Sequence, residues 1–347
     1  MIALSNMKFK TYLLILDEAK NKYINRKWCI IMMDVITIGD AMIAMCPTQK
    51  GPIIFCNTFE RKVGGAELNV AMGCARLGLK SGWISRLGND DFGKYIIKTV
   101  RGEGIDTSEV NLVDGYPTSV YFREVLSDGS SRSFYYREKS PTNTMNAKEL
   151  NEEYFKNSKV LHITGVFPSI NSNNKEVILE AVKLAKKNNL IISFDPNIRL
   201  KMWTKEEAKG YIDKLLPYVD ILLIGDEEVE ILLGETSIED AIRTFHNQGI
   251  GKVIVKKGSK GAIGSDGTNV YDVEAIKPKA LVDTVGAGDG FAAGFLTAML
   301  KGESLEYCVR FANAVGSLVV GVEGDNEGLP YYDDVLVHLG QSKKIER

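Results

Sequence analysis

Six short runs of aliphatic and β-branched residues, near 34–38, 82–86, 159–163, 190–194, 220–224 and 252–256, are separated by helical patterns at 66–77, 91–102, 174–187, 205–215 and 237–247. Two more helical stretches follow, at 288–300 and 304–320. This alternation predicts parallel strands joined by crossover helices, and so a three-layer α/β/α fold. Asp289 near the start of one pattern and Gly78 just past the end of another mark helix boundaries. Two stretches break the rhythm. Residues 42–59 and 116–137 alternate apolar and polar positions with no helix between, as half-exposed antiparallel strands do. In the second, Thr118, Val120, Phe122 and Glu124 face one way and Tyr121, Arg123 and Val125 the other. A small sheet standing apart from the main one, a lid, accounts for both.

Residues 1–32 fit none of this, whereas Met33 runs straight into the first strand pattern, so a native start at Met32 or Met33 is expected. The remainder, 33–340, reads as one domain, with no repeat, low-complexity segment or Pro- or Gly-rich linker. The near balance of 43 basic and 45 acidic residues argues against nucleic acid or an anionic membrane as partner. The longest apolar-looking stretch, 291–300, is too short to span a bilayer. Near the N-terminus Leu13–Leu16 is followed at once by Asp17 and Glu18, with no cleavage site, so secretion is not expected. Five scattered cysteines with no C-x-x-C pair suggest a reducing cytoplasm, and the three histidines lack metal-ligand spacing.

Chemistry concentrates in Asp283-Thr284-Val285-Gly286-Ala287-Gly288-Asp289-Gly290-Phe291, between an extended segment and an apolar helix. Glycines there free backbone amides at a helix N-terminus, where the dipole favours an anion. An aspartate among them is at odds with a bound phosphate unless it takes a proton from an attacking hydroxyl, and an anion hole beside a base suits phosphoryl transfer to an alcohol. A glycine-rich loop merely capped by Asp289 is the plainer alternative. Gly64 and Gly65 open another helix, where the chain can approach a ligand closely and Asn69 can bond hydroxyls. Lys256-Lys257-Gly258-Ser259-Lys260-Gly261, between two strands, could set amides and an ammonium near phosphates, or form only a β-turn. Glu228 could hold a water-coordinated Mg²⁺ or serve its helix dipole. The chain has no Walker A sequence, and Asp91-Phe92-Gly93 lacks the other protein-kinase motifs and reads as a turn or a coincidence.

Taken together and in order, the Gly64-Gly65 pair, Gly88-Asn89-Asp90-Asp91-Phe92-Gly93 and Asp283-Thr284-x-Gly286-Ala287-Gly288-Asp289 resemble the ribokinase-like (PfkB) carbohydrate kinases over residues 34 to 338. The resemblance implies Asp289 as general base, Gly286, Ala287 and Gly288 as anion hole, and Asn313 with the Lys257 to Gly261 turn at the nucleotide. It also implies ATP, Mg²⁺, and in some members a monovalent cation, with lids that pair across a homodimer. In the family's Asn-x-x-Glu motif Glu228 is kept, but Gly225 replaces the Asn. Within the family the chain is most similar to 2-keto-3-deoxygluconate kinases, through Gly64–Glu67, Tyr121–Glu124, Tyr135–Arg137 and Asp195–Arg199 with Trp203. A sugar acid carries a carboxylate, which arginine grips with two parallel hydrogen bonds, so Arg123 and Arg199, with Tyr121 beside them, become the expected acid readers. Fructokinase, a non-catalytic sugar or nucleotide sensor, and a dehydrogenase remain alternatives. The last lacks Gly-x-Gly-x-x-Gly after the first strand.

Overall fold

In the computed structural model, which describes residues 32–49, 51–125 and 131–343, all six runs become strands of one sheet. The strands among the described residues are β1 Met33–Ile38, β2 Met42–Pro47, β3 Phe59–Gly64, β4 Ser81–Gly88, β5 Val110–Val113, β6 Val120–Val125 and β7 Ser131–Tyr136, then β8 Ser158–Thr164, β9 Ile191–Asp195, β10 Ile221–Gly225, β11 Lys252–Lys256, β12 Ala262–Ser265 and β13 Val270–Val273. The large sheet runs β13-β12-β11-β10-β9-β8-β1-β4-β5. From β5 to β11 every pairing is parallel, and β12 and β13 add an antiparallel edge.

Central strands are covered on both faces, which is why they read as continuous apolar runs. In β1, Ile36 and Ile38 join a core with Phe167, Phe194 and Phe245, while Val35 belongs to the opposite layer with Leu223, Ile254 and Phe295. In that second layer the Ala287–Leu300 helix is buried almost all round. Its Gly294 lets the backbone lie against Leu305–Val319, for a Cβ there would sit 3.0 Å from Ala312 Cα. Asp289 therefore rides on a closely packed helix pair. From β1 the chain moves out through β4 to β5, then returns on the other side of β1 as β8. Such a reversal opens a crevice at the carboxyl ends of the strands, where open α/β sheets bind ligands.

The expected lid exists as a four-stranded sheet, β3-β2-β6-β7. Both hairpins, β2–β3 and β6–β7, are antiparallel as expected, but the two join through a parallel pairing of β2 with β6. The reason is rooting. β2 leaves the carboxyl end of β1 and β6 that of β5, and those two strands run the same way. Tyr121 and Arg123 are buried on one face of β6, whereas Phe122 meets Phe59 and Tyr136 edge-on on the other. Ile43 lies wholly inside, in one cluster with Leu68 and Trp83.

Sequence reading had no strand at β5, β12 or β13 and no helix at Asp226–Leu233 or Tyr332–His338. Those strands are four residues each at sheet margins, and the helices make two turns or so, too short for a periodic signal. Asp91-Phe92-Gly93 opens the Asp91–Gly102 helix, capped by Asp90. His162 packs internally against Ser193 and His338 bonds Ser317, as structural histidines do. Residues 1–31 lie outside the described residues. Among the described residues no helix is long and apolar enough to cross a membrane.

Candidate active site

A cleft of about 760 Å³ lies over the carboxyl ends of β9, β10 and β11, with the lid as its other wall. It gathers the predicted Gly65, Asn69, Tyr121, Arg123, Arg199, Glu228, Gly286, Gly288 and Asp289 around one space. Gly64 stands just behind, where a Cβ would strike the Asp325 carboxylate, and Ala287 packs into the core.

Asp289 occupies the first turn of the Ala287–Leu300 helix. The turn is made possible by Gly286, whose φ of 76° is left-handed and whose absent Cβ would collide with the Asp325 carbonyl. Of the residues that open this helix, Gly286, Gly288 and Asp289 line the cleft, while the Ala287 amide donates to the Thr284 carbonyl at 3.4 Å. Asp289 is only 8% exposed, and its Oδ2 accepts a 2.8 Å hydrogen bond from Asn69 Nδ2. Burial pushes its carboxyl up to about 7, against the pull of Asn69 and, more distantly, Arg199. A carboxyl poised there can accept a proton near neutral pH.

Opposite stands an ionic cluster. Lys256, at the end of β11, binds Asp195 at 2.6 Å, and both line the cleft. Glu228 gives its oxygens to the backbone, Oε2 accepting from Gly225 N at 2.7 Å and Oε1 from Ile198 N at 2.7 Å. Burial raises its carboxyl, opposed chiefly by the Lys256 charge. Among the described residues no three acidic, histidine or cysteine side chains gather as a metal cage. Two carboxylates, Asp195 and Glu228, on the wall of the cleft fit an ion that keeps its waters and takes phosphate oxygens, which is how Mg²⁺ binds.

Arg123 donates from both terminal nitrogens to Asp283, while its Nε, buried, has no partner among the described residues. Tyr121 OH donates to Asp325 Oδ2 at 2.6 Å. Lys257, Gly258, Gly261 and Asn313 do not line the cleft. Three of them meet instead around the end of β13: Lys257 binds Asp272, Gly261 abuts the Val273 carbonyl, and Asn313 Nδ2 donates to the carbonyls of Val273 and Glu274.

Sequence reasoning missed Asp325 and the cleft-facing role of Arg137, and of the Lys256-Lys257 pair it chose Lys257 where Lys256 lines the cleft. It had quoted Lys256, Arg137 and Asp195 only as parts of motifs. Strand alternation offered one usable signal, because Lys256 and Lys257 must leave the chain in opposite directions. Glu67 is another find. Fully buried, it accepts from Thr164 Oγ1 and Phe167 N, fastening the helix after the glycine pair to the end of β8.

The pfkB family carbohydrate kinase model matches residues 32–331. A 2-dehydro-3-deoxygluconokinase of Bacillus subtilis is 32% identical, over 91% of this chain and 98% of its own. A 5-dehydro-2-deoxygluconokinase of Halalkalibacterium halodurans is 31% identical over 90% of this chain and 96% of its own. Among solved structures, a candidate ribokinase II from E. coli in complex with ATP and Mg²⁺ superposes with a TM-score of 0.84 at 27% identity, covering 89% of this chain and all of the other.

Proposed function

Because the chain belongs to the pfkB family of carbohydrate kinases, we propose that it transfers the γ-phosphoryl group of ATP to the 6-hydroxyl of 2-keto-3-deoxygluconate. The observation that carries this reading is Asp289, a buried carboxyl pushed up to about 7, set in the first turn of a helix whose opening residues Gly286, Gly288 and Asp289 line a cleft shared with Arg123, Arg137 and Arg199. Asp289 takes the proton as the 6-oxygen attacks phosphorus, and the bond to the bridging oxygen of ADP breaks. Gly286, Ala287 and Gly288 supply backbone dipoles for the charge that gathers on the phosphoryl oxygens. Lys256 faces the same space with a positive charge. Mg²⁺, when bound with ATP, offsets phosphate charge. Asp195 and Glu228 would hold it through water. Lys257, Gly258, Gly261 and Asn313 would border the nucleotide away from this cleft.

At the sugar end, Arg199 meets the substrate carboxylate and Asn69 reaches hydroxyls, while Arg123, its terminal nitrogens given to Asp283, adds only its positive charge to that wall. The name of the B. subtilis relative supports this choice of acid. A second reading, 5-keto-2-deoxygluconate, is favoured by the H. halodurans relative. Both compounds carry a carboxylate and a primary hydroxyl, so the same wall would serve either. Fructose, which has no carboxylate, is the third candidate. Measuring ADP release with each sugar in turn, for wild type and Asp289→Asn, tests the proposal. Turnover should be highest on 2-keto-3-deoxygluconate and fall roughly 10²- to 10⁴-fold in the variant. A preference for fructose, or full activity without the carboxylate, would refute the corresponding part.

A further inference from the structure

Two loops close the phosphoryl end of the cleft. One, 283–286, runs into the Ala287–Leu300 helix, and the other, 323–326, brings the Asp325 carbonyl against Gly286. The lid grips both. From β6, Arg123 holds Asp283 with two hydrogen bonds and Tyr121 holds Asp325. From β3, Lys62 Nζ donates to the Glu323 carbonyl at 3.1 Å, and the Val63 carbonyl accepts from Asn326 Nδ2 at 2.6 Å. Asp283 is the knot between them. Besides Arg123 it accepts from Val285 N in its own loop and from Gly324 N in the other, each at 3.1 Å. The side chains of the pair are 6% and 5% exposed, so their geometry is fixed away from water. Asp283 does not itself line the cleft, while Arg123 and Tyr121 do.

We propose that Arg123 and Asp283 are positioning residues for phosphoryl transfer: the pair carries the seating of the lid strand to the Gly286–Gly288 turn, so the anion-binding amides meet the phosphoryl group in register only when β6 is in place. The inference rests on reading that turn and Asp289 as the transfer centre. Its physical basis is that preorganised dipoles lose most of their value when misplaced by about 1 Å. A sugar that binds against β6 would thus tighten the loop on which transfer depends.

The test exploits the fact that Asp283 touches no substrate space. Asp283→Asn should lower kcat about 10- to 100-fold while KM for sugar acid and ATP stays within about threefold. The charge-free pair Arg123→Met with Asp283→Leu should keep the low kcat, because the Val285 and Gly324 amides still lack their acceptor. Wild-type kcat in Asp283→Asn, a loss lying wholly in the sugar KM, or restored kcat in the double variant would each overturn the inference. Should Asp283→Asn show no melting transition, Arg123→Lys decides, since it keeps the charge but loses the two-point grip: a fall in kcat supports positioning and an unchanged kcat refutes it. Asp289→Asn runs alongside. Full turnover there would end the reading of the transfer centre whatever Asp283 does, whereas an inactive Asp289→Asn beside a fully active Asp283→Asn would end only this inference.

Discussion

Replacing Asn69 with alanine should move the pH dependence of catalysis upward. Asn69 Nδ2 lies 2.8 Å from Asp289 Oδ2 and is the side-chain hydrogen bond that favours the ionised carboxyl, whose value burial has pushed up to about 7. If the carboxylate is the base, kcat/KM of wild type rises with pH through about 7 and levels above it. Loss of the donor disfavours the charged form, so the limb must shift to higher pH, not lower. A hydrogen bond to a charged group is worth about 1.5 to 3 kcal/mol, and 1.36 kcal/mol corresponds to one unit, so the shift should be about one to two units. At pH 7, where half of the wild-type carboxyl is ionised, the variant would then fall about five- to fiftyfold, and most of that would return by pH 9. Asn69 also accepts from Asn326 at 3.3 Å, which adds a loss independent of pH. Coupled ADP release from pH 5.5 to 9.5 gives both profiles. A constant ratio of variant to wild type across the range would refute the link between Asn69, Asp289 and proton transfer.

Arg199→Ala should cut kcat/KM on the sugar acid about ten- to a hundredfold and spare fructose; an unchanged ratio of the two activities would remove Arg199 from carboxylate recognition. Thermal stability should rise on mild acidification. Asp40 and Asp325 are pushed by burial to about 6 and Glu67 and Asp289 to about 7, so the folded state prefers them protonated, and the stability they contribute is lost as pH climbs through 6 to 7. His162, held neutral by burial at about 4, and His338, lowered by burial, oppose this below 6.5, two groups against four. Tm should be about 3 to 6 °C higher at pH 5.5 than at pH 8, and a lower Tm at pH 5.5 would contradict it. The lid leaves Ile54, Phe55, Phe134 and Tyr136 exposed, which favours pairing with a second copy; sedimentation at micromolar protein should give a dimer, and a concentration-independent monomer would refute it.

What the sequence disclosed follows from which forces are local. Short runs such as Ile221-Leu222-Leu223-Ile224, set between helical patterns, mark strands buried on both faces, and the glycines before Asp289 mark a tight turn at a helix start without saying that Gly286 is the left-handed one. Pairing is another matter. Alternation along β6 gave which residues share a face but not which face is buried, nor the mutual direction of β2 and β6, which is set by the strands they leave. Arg123 looked like a free arginine because its partner Asp283 lies 160 residues on, and Asp325 gave no sign because Tyr121 reaches it across 204. Lys256 and Asp195 likewise meet only once β9 and β11 flank β10.

The parallel seam between β2 and β6 has a consequence for how the chain reaches this state. A hairpin zips from its turn, but these two strands have no turn in common, since β3, β4 and β5 intervene. Their contact requires the closure of a long loop, and the ordering cost of such a loop precedes any gain from the seam. The lid should be among the last parts to form. Until then the β2 edge that will meet β6, Ile43 to Met45, stays unpaired beside apolar side chains. In a nascent or thermally loosened chain this edge is the natural place for mispairing between molecules.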